Sequence, residues 1–375
     1  MAVPALSAIL LPELSLTTQQ FSWISSVYAF SAGISAFLAT AFIDRFDRKR
    51  MLLLYYGGFV LGMLMCAVAQ TFWMLLLART ISGLFGGVVA SICFAMIADR
   101  FQTDQRGRVM GFVQLAFAAG FVVGLPAALY LATNYHWQWM YWCFFIYGAI
   151  LWAIALIVVK ASHRHFDELK NEPLYKHSLR ILKRKNYWVV FSNNIFLVLG
   201  DVMFMTFGTA YMANNLGLSV EDIPLLFTVS GLTTIVLSPI IGRLADRYGV
   251  LPVFSIGTAL AIATIAVFSN LGELSFGWVA CIFTLLYVGV NARMVTSTAL
   301  TTVIPDEEDR GAFMTLDASL QQIAGGLAAT AAGWIIYQHS DGTVSGYPFL
   351  GGVVIALMGL TLILMRRIDK KIKHR

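Results

Sequence analysis

Asp44-Arg45-Phe46-Asp47-Arg48-Lys49-Arg50 is a charged knot, broken by one phenylalanine, between two long apolar runs. A partial copy, Gly242-Arg243-Leu244-Ala245-Asp246-Arg247-Tyr248-Gly249, follows far downstream and is again wedged between apolar runs. Ions of this density cannot sit in hydrocarbon, where nothing solvates them. Each copy therefore marks a tight water-side hairpin between two membrane helices. Two such hairpins at matching places imply a duplicated helical bundle.

Composition agrees. The chain has 375 residues, of which 58% are hydrophobic and 12% charged, with a mean hydropathy of +0.74. A soluble domain carries roughly twice that charged fraction. The net charge of +6 suggests nucleic acid only until the basic residues are located. They lie in short turns and a tail, which is membrane topology and not a binding stripe, so no nucleic-acid partner is expected. Cys66, Cys93, Cys143 and Cys281 fall inside apolar spans without CxxC spacing and read as small core residues, with no metal or disulfide role.

A transmembrane helix needs about 20 apolar residues to cross about 30 Å of hydrocarbon. That ruler places spans at 21–43, 51–69, 72–98, 107–132, 137–159, 187–213, 222–243, 250–270, 276–303, 310–337 and 346–366. Met1 to Leu11 is apolar but too short to span alone, and no basic residues precede it as in a signal peptide. The repeat accounts for this short start. Asp44 and Asp246 are 202 positions apart (246 − 44), and Arg106-Gly107-Arg108-Val109-Met110 matches Arg310-Gly311-Ala312-Phe313-Met314 at an offset of 204 (310 − 106). Mapped back by that offset, the span 187–213 begins before residue 1. The first helix is expected to be partial, through a late start or truncated gene model, with a genuinely shortened protein as the alternative.

Orientation follows from lysine and arginine. The connections holding Glu13, Gln70-Thr71, His136, Asp222, Glu273 and Asp341 contain neither. The opposite connections hold nearly all of the 26, including Arg48-Lys49-Arg50, Arg100, Arg106, Arg108, Lys183-Arg184-Lys185 and the tail from Arg366 to Arg375. The basic side is read as cytoplasmic. The expected organisation is a helical bundle over 1–159, a basic cytoplasmic linker over 160–186, a second bundle over 187–366, and a basic tail over 367–375. The fold class is all-α: two six-helix bundles related by a pseudo-twofold axis, the first helix incomplete.

Six spans, a basic linker and six more spans resemble the major facilitator superfamily of secondary transporters. That family's signature between its second and third helices is roughly G-x-L-A-D-R-x-G-R-K. The second copy here keeps Gly242, Leu244, Ala245, Asp246, Arg247 and Gly249; the first keeps Asp44, Arg45, Arg48 and Lys49, with Thr40 and Asp47 in place of the glycines. Those departures weaken backbone packing there and leave the charge scheme intact. Leu77-Ala78-Arg79-Thr80-Ile81-Ser82-Gly83, followed by Gly86 and Gly87, is similar to the fourth-helix motif of drug:proton antiporters, with Ser82 where glutamine is usual. Gly111 through Gly120, Gly124 and Pro126 is similar to their fifth-helix motif, with Leu125 inserted. The resemblance covers the whole chain and implies a twelve-helix antiporter of the drug or sugar-efflux type.

Physical roles follow for individual residues. Asp44 and Asp246 end helices at the basic face, where a carboxylate can accept from a helix N-terminus and pair with Arg106 or Arg310. With Arg45, Arg48 and Arg247 they form a candidate cytoplasmic gate, closed when that side is shut; a plain basic turn is the other reading. Gly83 and Gly87, and Gly120 and Gly124, are spaced to let helices approach closely, and Pro126 would bend its helix. Charges in mid-membrane cost at least ~2.5 kcal/mol each on insertion scales, so each needs a reason. Asp201 is the leading candidate for proton coupling, against a permanently paired structural aspartate. Arg79 could hold an anionic group or respond to carboxylate protonation. Arg293 and Asp317 lie nearer the basic interface, where snorkelling or an ion pair is the simpler reading. Tyr28, Ser31, Gln114, Asn193, Asn194, Asn291 and Gln321 would line a cleft between the halves, or simply hydrogen-bond between helices.

The sequence thus reads as a proton-coupled exporter of a small organic molecule in the cell inner membrane, working as a monomer in the lipid bilayer. A symporter or uniporter importing a solute, and a non-transporting membrane sensor, are the alternatives. No phosphate-binding loop, ligand cluster or nucleophile elbow suggests ATP use, a cofactor, a metal or an enzyme.

Overall fold

The computed structural model describes residues 3–39, 46–100, 109, 120–159, 180–306 and 309–373. After one 3-10 turn at Pro4–Leu6, the helices of the first half are α1 (Ser7–Glu13), α2 (Thr18–Ala39), α3 (Arg48–Ala67), α4 (Phe72–Arg100), α5 (Leu125–Asn134) and α6 (Trp137–Val158). The second half has α7 (Lys185–Met205), α8 (Gly208–Asn214), α9 (Ile223–Tyr248), α10 (Val250–Phe268), α11 (Phe276–Val303), α12 (Arg310–Ile335) and α13 (Tyr347–Lys373). Nine helices among the described residues are long and apolar enough to cross a membrane. Of the expected spans that fall short, 107–132 is described continuously only from residue 120, and 310–337 is diluted by Gln321, Gln322 and small residues.

Two expected spans differ in form. The span 187–213 is broken between Met205 and Gly208, so α8 starts anew and exposes fresh backbone N–H groups. The last helix runs to Lys373, so the basic residues from Arg367 to Lys373 prolong α13 instead of forming a separate tail. A two-stranded hairpin, Tyr337–Gln338 against Val344–Ser345, closes the loop before α13.

Packing repeats between the halves. In the first, α2 packs on α4, α3 on α4 and α3 on α6; in the second, α9 packs on α11, α10 on α11 and α10 on α13. Across the halves α2 lies along α12, α5 meets α9, and α1 meets α8. With no water to expel between helices in lipid, close approach of small residues and interhelical hydrogen bonds supply the association. A Cβ on Gly33 would meet Ile323 and the Ser319 carbonyl, and one on Gly333 would meet Ser22. The Ser319 hydroxyl donates to the Gly33 carbonyl at 2.7 Å. These contacts run α2 antiparallel to α12 along most of its length.

The apolar core is arranged unevenly along the membrane normal. At the lysine-free end one cluster joins both halves, including Leu6, Leu10 and Phe21 with Phe207, Tyr211 and Ile223. Toward the basic end, among the described residues, each cluster stays within one half: Ala39, Met51, Val88 and Ile92 in the first, and Tyr187, Phe191, Phe254 and Phe313 or Ile241, Ala245, Val253 and Ala292 in the second. Among the described residues the halves share a core at one face and have separate cores at the other.

The two charged hairpins solve their turns differently. Gly249 links α9 to α10 at φ 93°, a region that residues with a Cβ rarely enter. Its counterpart 202 positions earlier is Asp47, at φ −58°, whose side chain caps α3 by accepting from the Arg50 N–H at 2.9 Å. A cap thus stands where the second copy uses a left-handed glycine.

Candidate functional site

Among charged residues inside the helices, Asp201 and Arg293 meet. Arg293 on α11 is fully buried and donates to Asp201 of α7 at 3.0 Å and to the Thr361 hydroxyl of α13 at 3.3 Å, over the Phe254 ring. Asp201 therefore sits in an ion pair. Protonating it would leave Arg293 buried without its counter-charge, which is costly in low dielectric. Arg293 does not snorkel to the interface; it ties α7, α11 and α13 together.

Asp317 is placed differently. It is 5% exposed, and both carboxylate oxygens accept from the Asn194 amide at 3.0 Å, with Gln321 donating one turn away at 2.8 Å. Asn194 also donates to Thr301 and accepts from Ser297, which in turn accepts from Asn193 at 2.9 Å. This network spans α7, α11 and α12 in the half of the membrane nearer the basic face. Among the described residues it contains no cation. Asp317 and Gln321 stand on the same helix as Ser319, whose hydroxyl reaches α2.

Arg79 on α4 is 5% exposed. Its guanidinium lies over the Tyr28 ring at 4.4 Å, beside Cys66 and the hydroxyl of Tyr141. Its Nε is buried with no hydrogen-bond partner, and no carboxylate pairs with it among the described residues. One turn further, Gly83 approaches the Ser31 hydroxyl and Tyr28 carbonyl, and Gly87 approaches the Ala32 backbone. Both are close-contact positions between α4 and α2.

The remaining expected residues separate into several groups. Asn291 donates to Ser238 at 2.7 Å, an interhelical bond between α11 and α9, and Ser31 bonds back to its own helix. Gly120 and Gly124 depart from expectation: no described atom lies within 4 Å of a Cβ built on either. They form a π turn, Gly120–Gly124, leading into Pro126. Proline lacks the N–H that would continue the ladder, and a widened turn absorbs that break. Of the gate residues, Asp246 is exposed and in no ion pair among the described residues, Arg247 stacks over Tyr248 at 5.2 Å, and Arg48 is buried at the start of α3. Asp44, Arg45, Arg106, Gln114 and the side chain of Arg310 lie outside the described residues.

Sequence reasoning missed two contacts. At the basic face Arg184 pairs with Asp306 and Asp309, both at 2.7 Å, and Tyr187 donates to Asp309 at 2.9 Å. At the opposite face the Ser7 and Thr209 hydroxyls lie 2.7 Å apart, and Ser7 accepts from the Ala210 N–H at 3.0 Å. The signal for the second was present: Ser7 and Thr209 are 202 positions apart, the same offset as Asp44 and Asp246.

The model of the Major Facilitator Superfamily matches residues 1–207 and again residues 190–375. An uncharacterized MFS-type transporter of Bacillus subtilis, YwfA, is 24% identical over 357 residues, 90% of this chain and 81% of that protein. Multidrug resistance protein 3 of the same bacterium is 26% identical over 146 residues, 39% of this chain and 28% of its own length. Among solved structures, that of a point mutant of the nucleoside transporter NupG superposes with a TM-score of 0.76 at 13% identity, covering 98% of this chain and 94% of that one. An inward-facing, occupied bacterial homologue of the lysosomal transporter Spinster gives 0.68 at 14% identity, covering 98% and 90%. With its family model matched across both halves and a fold shared over nearly its full length, the chain belongs to the Major Facilitator Superfamily.

Proposed function

We propose that this transporter exports a small organic molecule across the cytoplasmic membrane in exchange for protons, by alternating access, with its basic face, linker and C-terminus in the cytoplasm. The observation that carries the proton part is Asp317. Its carboxylate is buried among neutral donors. It can gain or lose a proton without breaking an ion pair, which Asp201 cannot. An intramembrane ionisable residue is by default a functional one. Its charge bears directly on how α12 meets α7 and α11, while Ser319 two residues on holds α12 to α2. Proton loading at Asp317 would act on α12, the helix along which the halves must rearrange. The basic residues at one face favour the stated orientation, and the name of the multidrug resistance relative favours export.

The test uses everted membrane vesicles from a strain stripped of its pumps. Respiration acidifies the lumen, and a panel of labelled compounds is offered outside. Antiport predicts accumulation inside with partial collapse of the proton gradient; symport would expel the compound. Asp317→Asn should cut proton-driven accumulation at least tenfold while leaving substrate exchange without a gradient, and Asp201→Asn should not reproduce that split. Accumulation that ignores both the gradient and Asp317 would sink the proposal.

A further inference from the structure

Among the described residues, three of the buried polar atoms without a hydrogen-bond partner lie toward the lysine-free end of the first half: Ser25 Oγ on α2, Arg79 Nε on α4 and Tyr141 Oη on α6. All three residues are at least nine-tenths buried. They also share a depth. Ser25 and Arg79 are each seven residues from the lysine-free end of their helices, which begin at Thr18 and Phe72, and Tyr141 is four from Trp137. At 1.5 Å per residue that places them roughly 6–10 Å below that face. Arg79 joins them: it faces the Tyr141 hydroxyl and lies over Tyr28, one turn along α2 from Ser25.

Polar groups buried without partners are rare, because each forfeits its hydration for nothing. A guanidinium buried away from any carboxylate is rarer still. These groups are matched to one another: guanidinium N–H donates only, and the two hydroxyls can each donate. The complement of one cation and several donors is an oxyanion, which arginine recognises through its fixed fork. The Tyr28 ring holds the guanidinium by one face and leaves the N–H edge for such a group. The buried Arg293 already has its carboxylate in Asp201, and nothing analogous serves Arg79 among the described residues.

We infer that Arg79, Tyr141 and Ser25 form a site for the oxyanion of the transported molecule, so that the substrate class is small organic anions, carboxylate or phosphate. This rests on the transporter reading and narrows it.

The experiment measures ligand-induced thermal stabilisation of the purified full chain in detergent. Benzoate, phenylacetate, indole-3-acetate and phenyl phosphate are each compared with a neutral amide or alcohol and a cationic amine of the same skeleton. The anions should stabilise the wild type and the isosteres should not. Arg79→Gln should weaken anion binding about tenfold or more, as expected for lost hydrogen bonds to a charged group, and erase the preference for anion over amide. Arg79→Lys should keep part of that preference, and Tyr141→Phe should weaken it severalfold. If Arg79→Gln does not fold, the last two variants carry the same test. Equal stabilisation by amides or amines, none by any anion at millimolar concentrations, or an anion preference untouched by these substitutions would overturn the inference. Proton-driven transport of a neutral or cationic compound, independent of Arg79, would overturn it too while leaving the transporter reading standing. Anion binding without any proton-linked flux would do the reverse.

Discussion

At Asp201 and Asp317 the same side chain meets opposite surroundings. Asp201 is locked to Arg293, whose side chain is 0% exposed, so removing its charge strands a buried cation. Asp201→Asn should therefore destabilise the protein by about 3–5 kcal/mol, read as a large fall in melting temperature and folded yield. Adding Arg293→Gln should recover part of that loss, because the stranded charge goes with it; a double variant as unstable as the sum of the singles would refute the pairing. Asp317→Asn should cost far less, since an asparagine oxygen still accepts from Asn194. The sequence made both aspartates visible as intramembrane charges, and read alone it put Asp201 first for proton coupling, before its pairing with Arg293 was in view. Their rank depends on which helices face which across the bundle, and Asp201 and Arg293 are 92 residues apart. A pairing set by tertiary packing has no local signature, whereas the i, i+4 bond from Gln321 to Asp317 could have been read from spacing.

Among the elements, the glycine motifs separate into two kinds that look alike in one dimension. Gly83 and Gly87 sit where α4 touches α2, and a Cβ at Gly87 would run into the Ala32 backbone. Gly120 and Gly124 sit in a π turn with no described atom within 4 Å of where a Cβ would go. Gly87→Ala should cost about 1–3 kcal/mol by overpacking against main chain that cannot swing aside. Gly120→Ala should be neutral or add up to ~1 kcal/mol, the ordinary helix preference for alanine. Melting temperatures of the two single variants decide the matter, and equal losses would show that the contact at Gly87 does not hold the helices. Spacing of four marked both pairs as small faces, but only the neighbouring helix determines which face is pressed. The same limit explains the hairpins. The second copy's Gly249 could be inferred from its motif, while the capping role of Asp47 emerges only from the local backbone.

For the whole molecule, the repeat dictates where the halves can hold each other. Residues related by a twofold axis meet themselves on that axis, so a contact between repeat mates is self-complementary. Ser7 and Thr209 are such mates, and their hydroxyls touch at 2.7 Å toward the lysine-free face, within the core cluster shared by both halves. The break at Gly208 supplies the backbone N–H of Ala210 that Ser7 also accepts. This contact must open if the molecule is to present its cleft to that side. Cysteines introduced as Ser7→Cys and Thr209→Cys, in a chain with Cys66, Cys93, Cys143 and Cys281 replaced, should cross-link readily on mild oxidation. The cross-linked protein should lose transport almost completely while still binding ligand from the basic side, and reductant should restore transport. Each single cysteine should leave transport near the parent level, since losing one neutral hydrogen bond costs only about 1 kcal/mol. Undiminished transport by the cross-linked protein would mean that the halves do not part at this face. The alternating-access reading of the uneven core would then fail with it.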